Sequence, residues 1–189
     1  MIVGDPSVFA IESHIACAYE RLSALALGFF VIIIDGRVYG VRQNKATMLA
    51  CSFQEVISRL KNRGQHRVSV ATDARAADIA DDFRNAVYND DELNANTGVP
   101  LPEYSRILHN ARAVWAPDGD EAFDDGSYVL QFDVDERVRL IAFKTKGRLH
   151  DPSTLSDIWI SADYYYSVLK TWSLGFQEEW SALPKKAEV

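Results

Sequence analysis

The side chains that would do chemistry in this chain are four histidines, two cysteines and one dense run of carboxylates. His14, His66, His109 and His150 are scattered, with no spacing suited to a shared metal ion. Cys17 and Cys51 lack a CxxC or Cys/His pattern and read as free, buried thiols of a reducing compartment. His14 and Cys17, three residues apart, would share a face if their segment were helical, but no flanking motif supports a nucleophile and base. There is no G-x-S-x-G, no P-loop and no G-x-G-x-x-G. These absences do not exclude an enzyme, but they remove the usual reasons to propose one, and the expectation is no catalytic residue, no cofactor and no metal.

The carboxylates are the stronger feature. Between Ala113 and Glu136 stand Asp118, Asp120, Glu121, Asp124, Asp125, Asp133, Asp135 and Glu136, with no Lys or Arg. Asp118-Gly119-Asp120 starts like a calcium loop, but the ordered pattern with its closing Glu is missing. Two readings stand. The run is a solvated loop and turn, or it is a patch that docks on a basic protein surface, where opposite charge raises the association rate and selects the partner. In the second reading Phe123 and Tyr128 supply the apolar anchors.

Composition narrows the class. The chain has 189 residues, 48% of them hydrophobic, which fits a single domain over residues 1–189 with a core of its own. A net charge of −7 argues against holding nucleic acid by its phosphates. No basic segment leads into an apolar stretch at the start, and no run reaches the roughly 20 residues of a membrane helix, so the expectation is a soluble, cytoplasmic protein with no membrane partner.

The elements that must position these residues are best written at Gly28–Val41. Phe29 to Ile34 is an unbroken apolar run that suits a strand buried on both faces, and Asp35-Gly36 suits a type I′ turn into a second strand, Val38 to Val41. Ahead of it, Val8 to Ile15 alternates like a strand, and residues 16–27 have helical propensity. Ser52 and Glu55 form an S-x-x-E capping box before Phe53, Val56, Ile57 and Leu60, with Gly64 near the helix end. Arg67 to Thr72 reads as a strand, and Thr72 or Asp73 would cap a helix with the stripe Ala76, Ile79, Ala80, Phe83 and Val87. Asn89 to Pro102 and Ala116 to Ser127 read as loops, and Tyr104 to Trp115 holds a strand around Ile107. Tyr128 to Val134 and Arg137 to Lys144 form a second hairpin, Ile158 to Ile160 a further strand, and residues 162–183 a helix striped by Tyr165, Val168, Leu169, Trp172, Phe176 and Trp180. The class is α+β: a mainly antiparallel sheet of hairpins packed against a long C-terminal helix and two shorter ones.

Three stretches carry a family likeness. They are the start Val3-Gly4-Asp5-Pro6-Ser7-Val8-Phe9-Ala10-Ile11-Glu12, the hairpin Gly28 to Gly40, and Ser161 to Leu169 followed by Trp180 to Lys185. Together these ends resemble immunity protein 42, a family that protects bacteria from their own polymorphic toxins; the likeness is thin from Met48 to Trp115. The resemblance implies a cytoplasmic, non-enzymatic inhibitor that binds a cognate toxin domain, a basic nuclease among the options, and blocks its active site or substrate access. It carries over no catalytic residue, cofactor or metal ligand, and Gly4, Asp5, Pro6, Asp35 and Gly36 read as turn formers. On this view Asp118, Asp120, Glu121, Phe123, Asp124, Asp125 and Tyr128 form part of the toxin contact. The alternative is a small hydrolase with a pocket between the sheet and the last helix. An acidic mimic of nucleic acid fits less well, because the acids cluster.

Overall fold

The computed structural model describes residues 1–21, 23–69, 74–88, 96, 98–115 and 120–187. Its first sheet is built on the apolar run. Strand β2 (Phe9–Tyr19) pairs antiparallel with β3 (Ala26–Ile34), in the register Phe9 opposite Ile34 and Ser13 opposite Phe30. On either side lie β1 (Ile2–Asp5), against β2, and β4 (Arg37–Tyr39), against β3. The short strands β5 (Thr47–Met48) and β10 (Lys185–Lys186) extend β3 and β2 in turn. As expected for a strand without a polar member, β3 is buried on both faces from Phe29 to Ile34. Asp35 (φ +53°) and Gly36 (φ +72°) both take the left-handed conformation of a type I′ turn.

The described residues of the 16–27 stretch are not helical. Their apolar members extend β2 and begin β3, and β2 takes up a bulge between Ile15 and Cys17 where it passes Gly28. A Cβ on Gly28 would lie 1.9 Å from the His14 carbonyl oxygen, so only glycine allows this approach. His14 and Cys17 consequently sit on a strand, and the helical pairing considered for them does not exist. Cys51 is exposed and Cys17 half-buried, so neither is the fully buried thiol the sequence suggested.

The second sheet contains β6 (Ser127–Val134), β7 (Arg137–Lys146), β8 (Leu149–His150) and β9 (Ser156–Ser161), with β7 between β6 on one side and β8 and β9 on the other. Period-2 alternation divides its side chains between two cores. Val129, Val138, Leu140 and Ala142 face the first sheet, α1 (Leu49–Lys61) and α4 (Ala162–Ala182). Leu130, Phe132, Ile141 and Phe143 face α2 (Ala76–Tyr88) and α3 (Leu101–Asn110). Helix α4 buries Tyr165, Val168, Leu169, Trp172 and Phe176 as its stripe predicts, and Ser161 caps it by accepting from the Tyr164 N–H at 3.1 Å. Each such large side chain contributes on the order of 1.5–3 kcal/mol on burial.

Two further expectations are corrected. Leu101–Asn110 is a helix, not a strand around Ile107; Pro102 in its first turn suits helix entry, and Leu101, Tyr104 and Leu108 recur at helical spacing. Helix α1 starts at Leu49 with Met48 as its cap, so Ser52 lies inside the first turn with its hydroxyl unbonded, and the S-x-x-E box caps nothing. Residues 67–69 are not strand, and the rest of the expected strand with its Thr72 or Asp73 cap lies outside the described residues.

Candidate functional site

The acidic run does not form one patch. Strand β6 passes through it, and its eight residues span about 26 Å at 3.3 Å each. Asp120, Glu121, Asp124 and Asp125 gather at the start of the strand, Asp135 and Glu136 at its far end. Asp118 lies outside the described residues.

At the near end the chain makes one 3₁₀ turn, Glu121–Phe123. Asp120 caps that turn by accepting from the Ala122 N–H at 2.9 Å, and burial raises its pKa above the ordinary carboxylate value. Asp125 accepts from the Ser127 N–H at 3.1 Å and from Lys144 Nζ at 2.6 Å. Phe123 turns inward, 8% exposed, with its ring edge-on to Phe30. Tyr128 is half-buried: it stacks on Phe143 at 5.6 Å, meets Phe83 at 5.2 Å, and its hydroxyl accepts from Arg84 at 3.1 Å. Of the described residues in this group, Glu121 and Asp124 have exposed carboxylates. The others shape the turn that presents them.

The far end leads to a polar cluster that sequence reading missed. Asp133, 5% exposed, accepts from the backbone N–H of Gly64 (2.7 Å) and His66 (3.3 Å), from Gln131 Nε2 (3.0 Å) and from the Tyr166 hydroxyl (2.9 Å). Gln131 accepts from the Tyr165 hydroxyl and from Arg59 at 2.7 Å. Arg59 is fully buried; it also donates to the Val114 carbonyl at 2.6 Å, lies 2.9 Å from Glu55, and sits 4.4 Å over the Trp115 ring. Burial raises the pKa of Glu55, opposed by Arg59, and burial likewise raises those of Tyr165 and Tyr166. His66 donates from Nδ1 toward the carbonyls of Ala111 (3.0 Å) and Arg112 (3.1 Å), leaving Nε2 buried without a partner among the described residues. Burial first, and then Arg59, lower the His66 pKa and hold the ring neutral. The only advance signal was polar residues at alternate positions of β6, Gln131 and Asp133, in a strand otherwise fit for a core.

Beside this cluster a cleft of about 130 Å³ lies between the second sheet and the start of α4, lined by Arg63, Asp133, Asp135, Glu136, Asp163 and Tyr166 among others. Arg63 and Asp163 form an ion pair at its rim. The cleft is below the roughly 300 Å³ of ordinary small-molecule sites, and its lining holds no Cys, His or Ser. The histidines stay apart: His14 on β2, His66 after α1, exposed His109 on α3, and His150 on β8 bonded through Nδ1 to Asp81 at 2.6 Å. Among the described residues no three His, Cys, Asp or Glu side chains are placed to share a metal ion, and no helix is long and apolar enough to cross a membrane.

Comparison with known proteins places these features in context. The family model described as Immunity protein 42 matches residues 1–174. The crystal structure of CdiI from Burkholderia dolosa is similar in fold, with a TM-score of 0.60 at 16% identity over 93% of this chain and 99% of that one. No protein of curated function matches the sequence.

Proposed function

The chain belongs to the immunity protein 42 family, and from that premise we propose that it binds one cognate toxin domain in the cytoplasm and silences it by covering the active site or the route of substrate to it. The observation that carries this reading is the family match over residues 1–174, which includes most of α4 and both sheets except β10. The structurally similar CdiI of Burkholderia dolosa supports the fold.

Surface charge supports a basic partner, such as a nuclease domain whose cleft holds phosphates. The net charge is −7, and Glu121 and Asp124 are exposed on a turn held by Asp120, Phe123 and Asp125, with Tyr128 on the strand that follows. We place part of the toxin contact on this turn and on Tyr128, together with Asp118, which precedes the turn in the sequence. An inhibitor of this kind needs no reacting group of its own; it needs a rigid surface, which the two cores and the Arg59–Gln131–Asp133 network supply. The small-hydrolase alternative gains little from the cleft against α4, which at about 130 Å³ is below the size of ordinary small-molecule sites. The test is complex formation: the purified chain mixed with the toxin domain encoded beside its gene elutes as one species in size-exclusion chromatography. Separate elution at micromolar concentrations would sink the proposal.

A further inference from the structure

Strand β9 is bonded to β7 on one side, and among the described residues no backbone group bonds to its other side. At its middle stands Trp159, partly exposed, with two guanidinium groups over its ring, Arg137 at 5.1 Å and Arg139 at 5.3 Å from the centroid. The two arginines differ in what they are bonded to. Arg139 is 4% exposed and held by a bidentate pair with Asp157, both contacts at 2.8 Å, and by the Ala74 carbonyl at 3.0 Å. Arg137 is exposed; it donates to the Trp159 carbonyl at 3.3 Å and has no carboxylate partner among the described residues.

An open strand edge offers a row of backbone donors and acceptors to an added strand. Trp and Arg are the side chains that most often dominate binding energy at interfaces. A Trp already held by two cations over its ring loses little freedom when a partner covers it. A guanidinium without a carboxylate partner can take one through its remaining N–H donors. Together these features specify an occupant. We propose that the outer edge of β9 docks an extended segment of the toxin domain, with a carboxylate side chain opposite Arg137 and an apolar side chain against Trp159. This inference rests on the reading of the chain as an immunity protein. It adds a contact of opposite charge to the acidic turn, so that one partner is gripped at both a basic and an acidic point.

The experiment is calorimetric titration of the full-length chain with the purified toxin domain, using wild type, Trp159→Ala, Arg137→Ala and Arg137→Glu. Trp159→Ala and Arg137→Ala are each expected to weaken binding by roughly thirtyfold, the scale of an interface hot spot, and Arg137→Glu by more. Arg137 is exposed, so its variants keep their unfolding temperature and the test holds even if Trp159→Ala fails to fold. Wild-type affinity in the Arg137 variants overturns the inference while leaving the immunity reading intact. Self-association of those variants with unchanged toxin affinity also overturns it, because Arg137 then only shields the edge. No binding by the wild-type chain defeats the immunity reading and this inference with it.

Discussion

Replacing Arg59 by Met tests whether the buried polar network holds the scaffold. Met keeps much of the aliphatic stem and removes the guanidinium. Four contacts go: the bonds to Gln131 at 2.7 Å and to the Val114 carbonyl at 2.6 Å, the ion pair with Glu55 at 2.9 Å, and the guanidinium 4.4 Å over the Trp115 ring. Hydrogen bonds to charged groups contribute about 1.5–3 kcal/mol each, and removing one partner of a buried pair costs about 3–5 kcal/mol. The second figure governs, since the bonds and the pair belong to one group and do not add. The loss depends on pH in a definite direction. Burial already raises the Glu55 pKa and Arg59 opposes that rise, so without Arg59 the folded-state pKa climbs further above the unfolded value. Protonation of Glu55 then relieves the folded state at low pH, and the penalty grows as pH rises through the folded pKa. Urea unfolding at pH 8 should show a loss of about 3–5 kcal/mol, smaller at pH 5, and Glu55→Gln should be better tolerated beside Arg59→Met than alone. A loss under about 1 kcal/mol at pH 8, or an equal loss at both pH values, would refute this view of the network.

The glycines of the first hairpin should separate by mechanism in the same assay. Gly36→Ala meets no atom and carries only left-handed strain, of about 1 kcal/mol, whereas Gly28→Ala drives a Cβ into the His14 carbonyl at 1.9 Å and should cost several times more; equal losses would contradict the close-approach argument. His66 has a lowered folded-state pKa, so the unfolded chain binds the extra proton first and stability falls as pH drops below about 6.5, with a slope of at most about 1.4 kcal/mol per pH unit. His66→Gln should abolish that slope, and an unchanged profile would put its origin elsewhere. Glu121→Lys with Asp124→Lys should leave stability within about 0.5 kcal/mol per site and weaken toxin binding by calorimetry; unaltered affinity would move the interface off the acidic turn.

Strong local patterns were legible in the sequence. The Phe29 to Ile34 run, the Asp35-Gly36 turn, the β6–β7 hairpin and the α4 stripe each carry their period over enough residues to decide their conformation, and all four stand in the structure. Where the pattern was short, tertiary pairing decided. Residues 16–27 had helical propensity, yet Ala18 and Ala26 lie opposite each other across two strands. Around Ile107 the alternation was ambiguous, and packing of Tyr104 and Leu108 against Ile79 and Phe83 selected a helix.

The site was less legible because its residues meet only in space. Eight acids close in sequence looked like one patch, but β6 separates Asp120, Glu121, Asp124 and Asp125 at one end from Asp135 and Glu136 at the other. Phe123 and Tyr128 looked like exposed anchors because they are flanked by acids, but Phe123 completes a core and Tyr128 leans on α2 and β7. Arg59, Gln131 and Asp133 come from α1 and β6, and nothing in their linear neighbourhoods marks Arg59 as fully buried. The Trp159–Arg137–Arg139 stack likewise forms only when β9 lies beside β7.

The central claim is that this chain neutralises a toxin by occupying it. Titrating the purified chain into the purified toxin domain, while following the toxin's own activity, tests that claim most directly. Activity should fall linearly to zero at one equivalent of the chain, without consumption or modification of either protein. Toxin activity that persists at a several-fold excess of the chain would contradict it.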